Sequence, residues 1–162
     1  MLNESSEIMI INYSNQEITK GDKAIFLAGP TIRDRVITEW RVEALKIFAE
    51  LKFDGIVYIP EFLDMEINDE YVRQVMWERN ALAAATVILF WVPREIKLLP
   101  GFTTNVEFGY WIHSGKVIYG RPDDAEKIKY LDWLYEFECN EKPFNNLRKL
   151  IESAILRCDN GK

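Results

Sequence analysis

The sequence predicts one α/β domain in which a parallel sheet carries helices on both faces, and two observations lead there. Short, almost wholly apolar runs recur at 24–28, 56–59, 87–92 and 116–119, each closed by glycine or proline. That is the pattern of strands buried on both faces. Between these runs the apolar residues fall three and four positions apart, which is the helical period. Strands alternating with helices assemble into a covered parallel sheet.

Taken in order, residues 1–22 combine a β-rich run at 8–13 with the polar Ser14, Asn15, Gln16 and Glu17. They read as an added edge strand or a flexible arm ahead of a domain spanning 23–162. The first buried strand, 24–28, enters a loop at Gly29-Pro30, and Trp40, Val42, Leu45, Phe48, Ala49 and Leu51 then mark an amphipathic helix over 40–51. The second strand, 56–59, stops at Pro60, a helix follows over about 70–85, and the third strand, 87–92, stops at Pro93. After a loop holding Pro100 and Gly101, Thr104 is expected to open a helix that reaches Ser114, ahead of the fourth strand at 116–119. Residues 123–137 and 144–156 read as two further amphipathic helices. In open sheets of this kind ligands bind beyond the carboxyl ends of the strands, where strand order reverses. That rule directs attention to 29–35, 60–64, 93–107 and 120–122.

Composition narrows the function. A chain of 162 residues, 48% apolar with nine Phe, seven Tyr and five Trp, can fill the core of one domain. Its formal charge of -6 opposes binding to nucleic acid or to anionic membranes. Cys139 and Cys158 lack zinc-site spacing and His113 is the single histidine, so no metal is expected. No leader pattern opens the chain and no apolar run nears the ~20 residues that cross a bilayer, so the expectation is a reduced, soluble, cytoplasmic protein. The Walker loop, GxGxxG and GxSxG are all missing, which disfavours phosphate-cradling and serine-hydrolase chemistry. No cofactor is expected.

Two carboxylates remain as candidates for chemistry. Glu107, in Thr103-Thr104-Asn105-Val106-Glu107-Phe108-Gly109, falls in the first turn of the expected helix. One reading makes Thr104 and Glu107 a capping box. The other makes Glu107 a nucleophile, kept ionised by the helix N-terminus and suited to attack an anomeric carbon. Glu78, in Trp77-Glu78-Arg79-Asn80, is either a solvated helix charge or the second carboxyl group that glycosyl transfer with retention requires about 5 Å from the first. Trp40, Trp77, Trp91 and Trp111 are core residues or walls of a flat slot for a base. Arg33, Arg35 and Arg94 are surface charges or phosphate ligands.

The ordered set Phe26-Leu27-Ala28-Gly29-Pro30, Trp40-Arg41, Ile59-Pro60-Glu61, Trp77-Glu78, Leu89-Phe90-Trp91-Val92-Pro93-Arg94, 103–109 and Gly120-Arg121-Pro122 resembles the nucleoside 2-deoxyribosyltransferase-like family. The resemblance implies a flavodoxin-like (Rossmann-like) sheet. It also implies a glutamate nucleophile in an E-x-G stretch, which falls on Glu107-Phe108-Gly109, and a second acidic residue that falls on Glu78. Candidate substrate-binding residues are Gly29, Pro30, Thr31, Arg33, Trp40, Trp77, Trp91, Pro93, Arg94, Thr104 and Asn105. The partners implied are a nucleoside or nucleotide and a free nucleobase, in a homo-oligomer whose neighbouring subunit completes each pocket.

Three functions follow from these residues. A transferase passes the sugar from Glu107 to a second base. A hydrolase passes it to water, and one acting on nucleoside monophosphates would use Thr31, Arg33 and Arg35 for the phosphate. A non-catalytic nucleoside or nucleotide sensor keeps the fold alone. The transferase ranks first and the hydrolase second; Thr86 and Gly101 keep the last reading open, because the transferases often carry acidic residues in those regions.

Overall fold

The computed structural model describes residues 8–32, 37–62 and 71–161. Arg33 and Arg35 therefore lie outside the described residues, as do the first residue of the helix expected from 70 and part of the 60–64 loop.

Five parallel strands form one sheet: β1 (Ile10–Tyr13), β2 (Ala24–Ala28), β3 (Ile56–Ile59), β4 (Val87–Trp91) and β5 (Val117–Gly120), in the order β1-β3-β2-β4-β5. Strands β2 to β5 give the flavodoxin-like core and β1 adds a parallel edge strand beside β3. All residues of β2 to β5 are buried, as strands covered on both faces must be. The helices are α1 (Glu39–Glu50), α2 (Tyr71–Ala84), α3 (Phe102–Trp111), α4 (Lys129–Cys139) and α5 (Leu147–Asp159).

Alternation along the strands divides the core in two. Phe26, Tyr58, Phe90 and Tyr119 point to one face, where Trp77 and Ala81 of α2, Phe108 of α3 and Tyr135 of α4 cover them. Ile25, Leu27, Val57, Leu89 and Ile118 point to the other, under Trp40, Ala44 and Phe48 of α1 and Leu150, Ile151 and Ala154 of α5. Among the described residues no helix is long and apolar enough to cross a membrane.

Three helix starts differ from expectation. Helix α3 begins at Phe102, because Gly101 adopts a left-handed conformation (φ 63°) that turns the chain into the helix without a side-chain cap. The capping box of Thr104 and Glu107 is therefore not formed, and Glu107 stands in the second turn. Helix α4 starts at Lys129, after a turn in which Ala125 N donates to Pro122 O at 3.2 Å. Helix α5 starts at Leu147, where the Asn146 side chain caps Lys149 N.

The order of strands reverses between β2 and β4. Strand β2 sends its chain through α1 to β3 on one side, and β4 continues to β5 on the other. A crevice at the carboxyl ends of β2 and β4 is the place this topology prepares for a ligand.

Candidate active site

The loops after β2 and β4 are locked together at that crevice. Gly29 has φ 153°, and a Cβ there would sit 2.1 Å from the Trp91 carbonyl oxygen. A Cβ on Gly101 would meet Pro30 at 2.9 Å. Trp40 Nε1 donates to Pro30 O at 2.9 Å, so the first turn of α1 holds the Gly29-Pro30 turn from below.

Arg41, 1% exposed, extends beneath this turn. Its Nε donates to Leu27 O (3.1 Å), one terminal nitrogen to Gly29 O (2.9 Å), and the other to Thr31 Oγ1 (2.9 Å) and Glu61 Oε2 (2.6 Å). Glu61 also accepts from Thr38 N (3.0 Å) and Thr38 Oγ1 (2.5 Å). Each nitrogen of the guanidinium is thus partnered, and it lies close enough to Glu107 and Glu78 to favour ionisation of both.

Glu78 and Glu107 converge. Both are half-buried, one on α2 and one on α3, and their carboxyl groups lie close enough to perturb each other's ionisation. Gln74, one turn before Glu78 on α2, bridges Pro60 O (3.1 Å) and Glu78 Oε1 (2.8 Å) and so fixes that carboxyl group at the end of β3. Burial pushes the Glu107 carboxyl up to about 8, with the Glu78 charge as the second cause. Burial also raises Glu78, against the opposing bond from Gln74 and the Arg41 charge. The expectation that the helix N-terminus keeps Glu107 ionised is therefore replaced by its opposite: loss of water and a like charge outweigh a helix end now more than a turn away. Two carboxyl groups so coupled titrate as a unit.

The other sequence candidates distribute around this pair. Thr104 is buried and packs near Gly101, Thr31 is held by Arg41, and Pro93 is half-buried after β4. Trp40, Trp77 and Trp91 are each 7% exposed and belong to the cores. Trp77 faces away from Trp40 and Trp91, on the other side of the sheet, with Nε1 bonded to Gln16 O at 3.0 Å. Arg94 bonds Asn105, and Asn105 lies about 200° around α3 from Glu107, so these two are on the far side of the helix from the pair. Thr86 sits at the amino end of β4, where its hydroxyl joins Asp22 O (2.8 Å) and Ala24 N (3.2 Å), remote from the crevice. A hollow of about 1170 Å³ runs between 16–22 and α2 and is lined by neither Glu78 nor Glu107. We place the site by the perturbed carboxyl pair, because chemistry needs convergent groups and not space alone.

Arg41, Glu61 and Gln74 were not singled out by residue reasoning, although the first two stand inside motifs that carried the resemblance. A buried arginine in an apolar helix face is the signal that was available.

The fold and this pair define a class: a single-domain parallel α/β protein with two coupled carboxyl groups at its topological switch. Residues 22–125, more than half of the chain, match the family described as nucleoside 2-deoxyribosyltransferase like. The chain belongs to that family. No curated protein matches it.

Proposed function

We propose that this protein cleaves the N-glycosidic bond of a deoxynucleoside and passes the sugar to a second base, with Glu107 as nucleophile and Glu78 as acid and base. The observation that carries the reading is the convergence of two half-buried carboxyl groups, from α2 and α3, close enough to perturb each other's ionisation. Such a pair supplies one carboxylate and one proton together, which retaining transfer requires.

At rest the proton of the pair sits on Glu107; in the reactive form it has passed to Glu78, and the Glu107 carboxylate attacks C1′ as the C1′–N bond breaks. The departing electron pair stays on the base nitrogen, which takes the proton from Glu78. The glycosyl ester is then opened by the nitrogen of an incoming base, whose proton returns to Glu78 while the ester electrons return to Glu107. Arg41 steadies the charge of the pair throughout without touching the sugar. Water as second acceptor gives the hydrolase. The sensor reading loses one of its supports, because Thr86 is bound at the opposite end of β4.

Association of subunits belongs to the same proposal. Phe102, Val106 and Tyr110 on α3, the helix that carries Glu107, are exposed, and Arg79 of α2 lies over the Tyr110 ring at 5.7 Å. A second subunit covering this face would close the crevice to water.

Incubation with deoxynucleosides and free bases, followed by chromatography, tests the reading. Exchanged nucleoside is the expected product. Free base with free sugar would assign the hydrolase, and ligand that binds unchanged would overturn the enzymatic reading.

A further inference from the structure

A second hollow, about 180 Å³, lies between α3 and α4, and its lining includes Arg94, Asn105, Phe108, Gly109, Leu131 and Leu134. Neither glutamate borders it. Arg94 is 4% exposed, and its terminal nitrogens reach only neutral acceptors, Lys127 O at 2.8 Å and Asn105 Oδ1. Its Nε is buried with no partner, and among the described residues no carboxylate bonds to this guanidinium. A buried charge without a counter-ion is costly, and chains that keep one compensate it with a ligand or an anion.

We propose that this hollow is a binding site, separate from the glutamate pair, for a small organic carboxylate with an apolar body. The carboxylate would take the position beside Arg94, and the body would pack on Phe108, Leu131 and Leu134. Size supports the assignment: cavities near 150 Å³ accept a benzene ring. Water alone fills the hollow poorly, since several molecules would fit at roughly 30 Å³ each and the apolar walls give them few partners. Inorganic phosphate would satisfy the charge and leave the apolar walls bare.

Titration of isotope-labelled protein with benzoate, followed by amide shifts, tests this. Saturable shifts centred on 105–109 and 127–134 are expected, with the neutral isostere benzamide binding at least about tenfold more weakly, the worth of a charge-assisted hydrogen bond. Arg94→Gln should lose benzoate by a similar factor. Gly109→Leu, which leaves Arg94 in place and adds a side chain at a position with nothing within 4 Å, should block the site even where Arg94→Gln folds poorly. Absence of saturation, equal binding of benzoate and benzamide, a preference for phosphate, or shifts centred on α2 around Gln74 and Glu78 with none at 127–134 would each overturn the proposal. None of these readouts depends on glycosidic turnover, so the two proposals fail separately.

Discussion

Glu107 holds its proton to about pH 8, whereas an unfolded glutamate releases it near 4.5. Between those values the native state binds more protons than the unfolded chain, so stability must fall as pH rises through that window. The group's full cost, on the order of a few kcal/mol, is reached above the folded value. Urea unfolding from pH 5 to 8.5 should therefore show declining stability in the wild type and a flatter profile in Glu107→Gln, with the variant the more stable at pH 8. A capping role would have left Glu107→Gln close to the wild type, since glutamine fills the same position of a capping box, and no such cap exists. Single residues were legible here only as far as their chemistry. Glu107 stands out as a carboxylate in the first turn of an expected helix and Glu78 as one in the helix before the third strand, but the shift of Glu107 arises from burial and from Glu78, neither of which is local in sequence. Arg41 and Glu61 form their bond only once α1 packs under the end of β3.

The elements were legible in proportion to how local their causes are. Strands β2 and β3 match their apolar runs residue for residue, because a strand buried on both faces needs no neighbour to reveal it. The start of α3 was misplaced because the left-handed Gly101, and not a polar side chain, turns the chain, at a place where a Cβ would crowd Pro30. Helices α4 and α5 began late because turns and an Asn146 cap intervene. Two glycines give opposite expectations. Gly29→Ala would drive a Cβ to 2.1 Å from the Trp91 carbonyl oxygen at φ 153°, and should cost about 3 kcal/mol or more. Gly109→Ala, within α3 and with nothing inside 4 Å, should stabilise by up to about 1 kcal/mol. Thermal or urea melts of the two variants decide both; a neutral Gly29→Ala would show that the two loops are not locked together.

For the molecule as a whole, the arrangement of layers followed from alternating strands and helices, and so did the crevice. What sequence could not show was which helix faces remain uncovered. The exposed Val106 and Tyr110 on α3 are apolar residues that a monomer would leave in water, next to the carboxyl pair. Sedimentation should find an oligomer in the wild type, and Val106→Lys, which places a charge on that face, should shift it toward monomer and lower turnover together. A wild type that sediments as a monomer at all concentrations would remove the neighbouring subunit from the account. The most direct test of the chemistry is turnover in Glu107→Gln. The amide keeps the size of the side chain and can still bond Glu78, so the folded protein should bind nucleoside, but it cannot form a glycosyl ester. Single-turnover assays of base release should show a loss of several orders of magnitude with nucleoside binding retained, whereas release near the wild-type rate would place the nucleophile elsewhere and reduce Glu107 to a structural partner of Glu78.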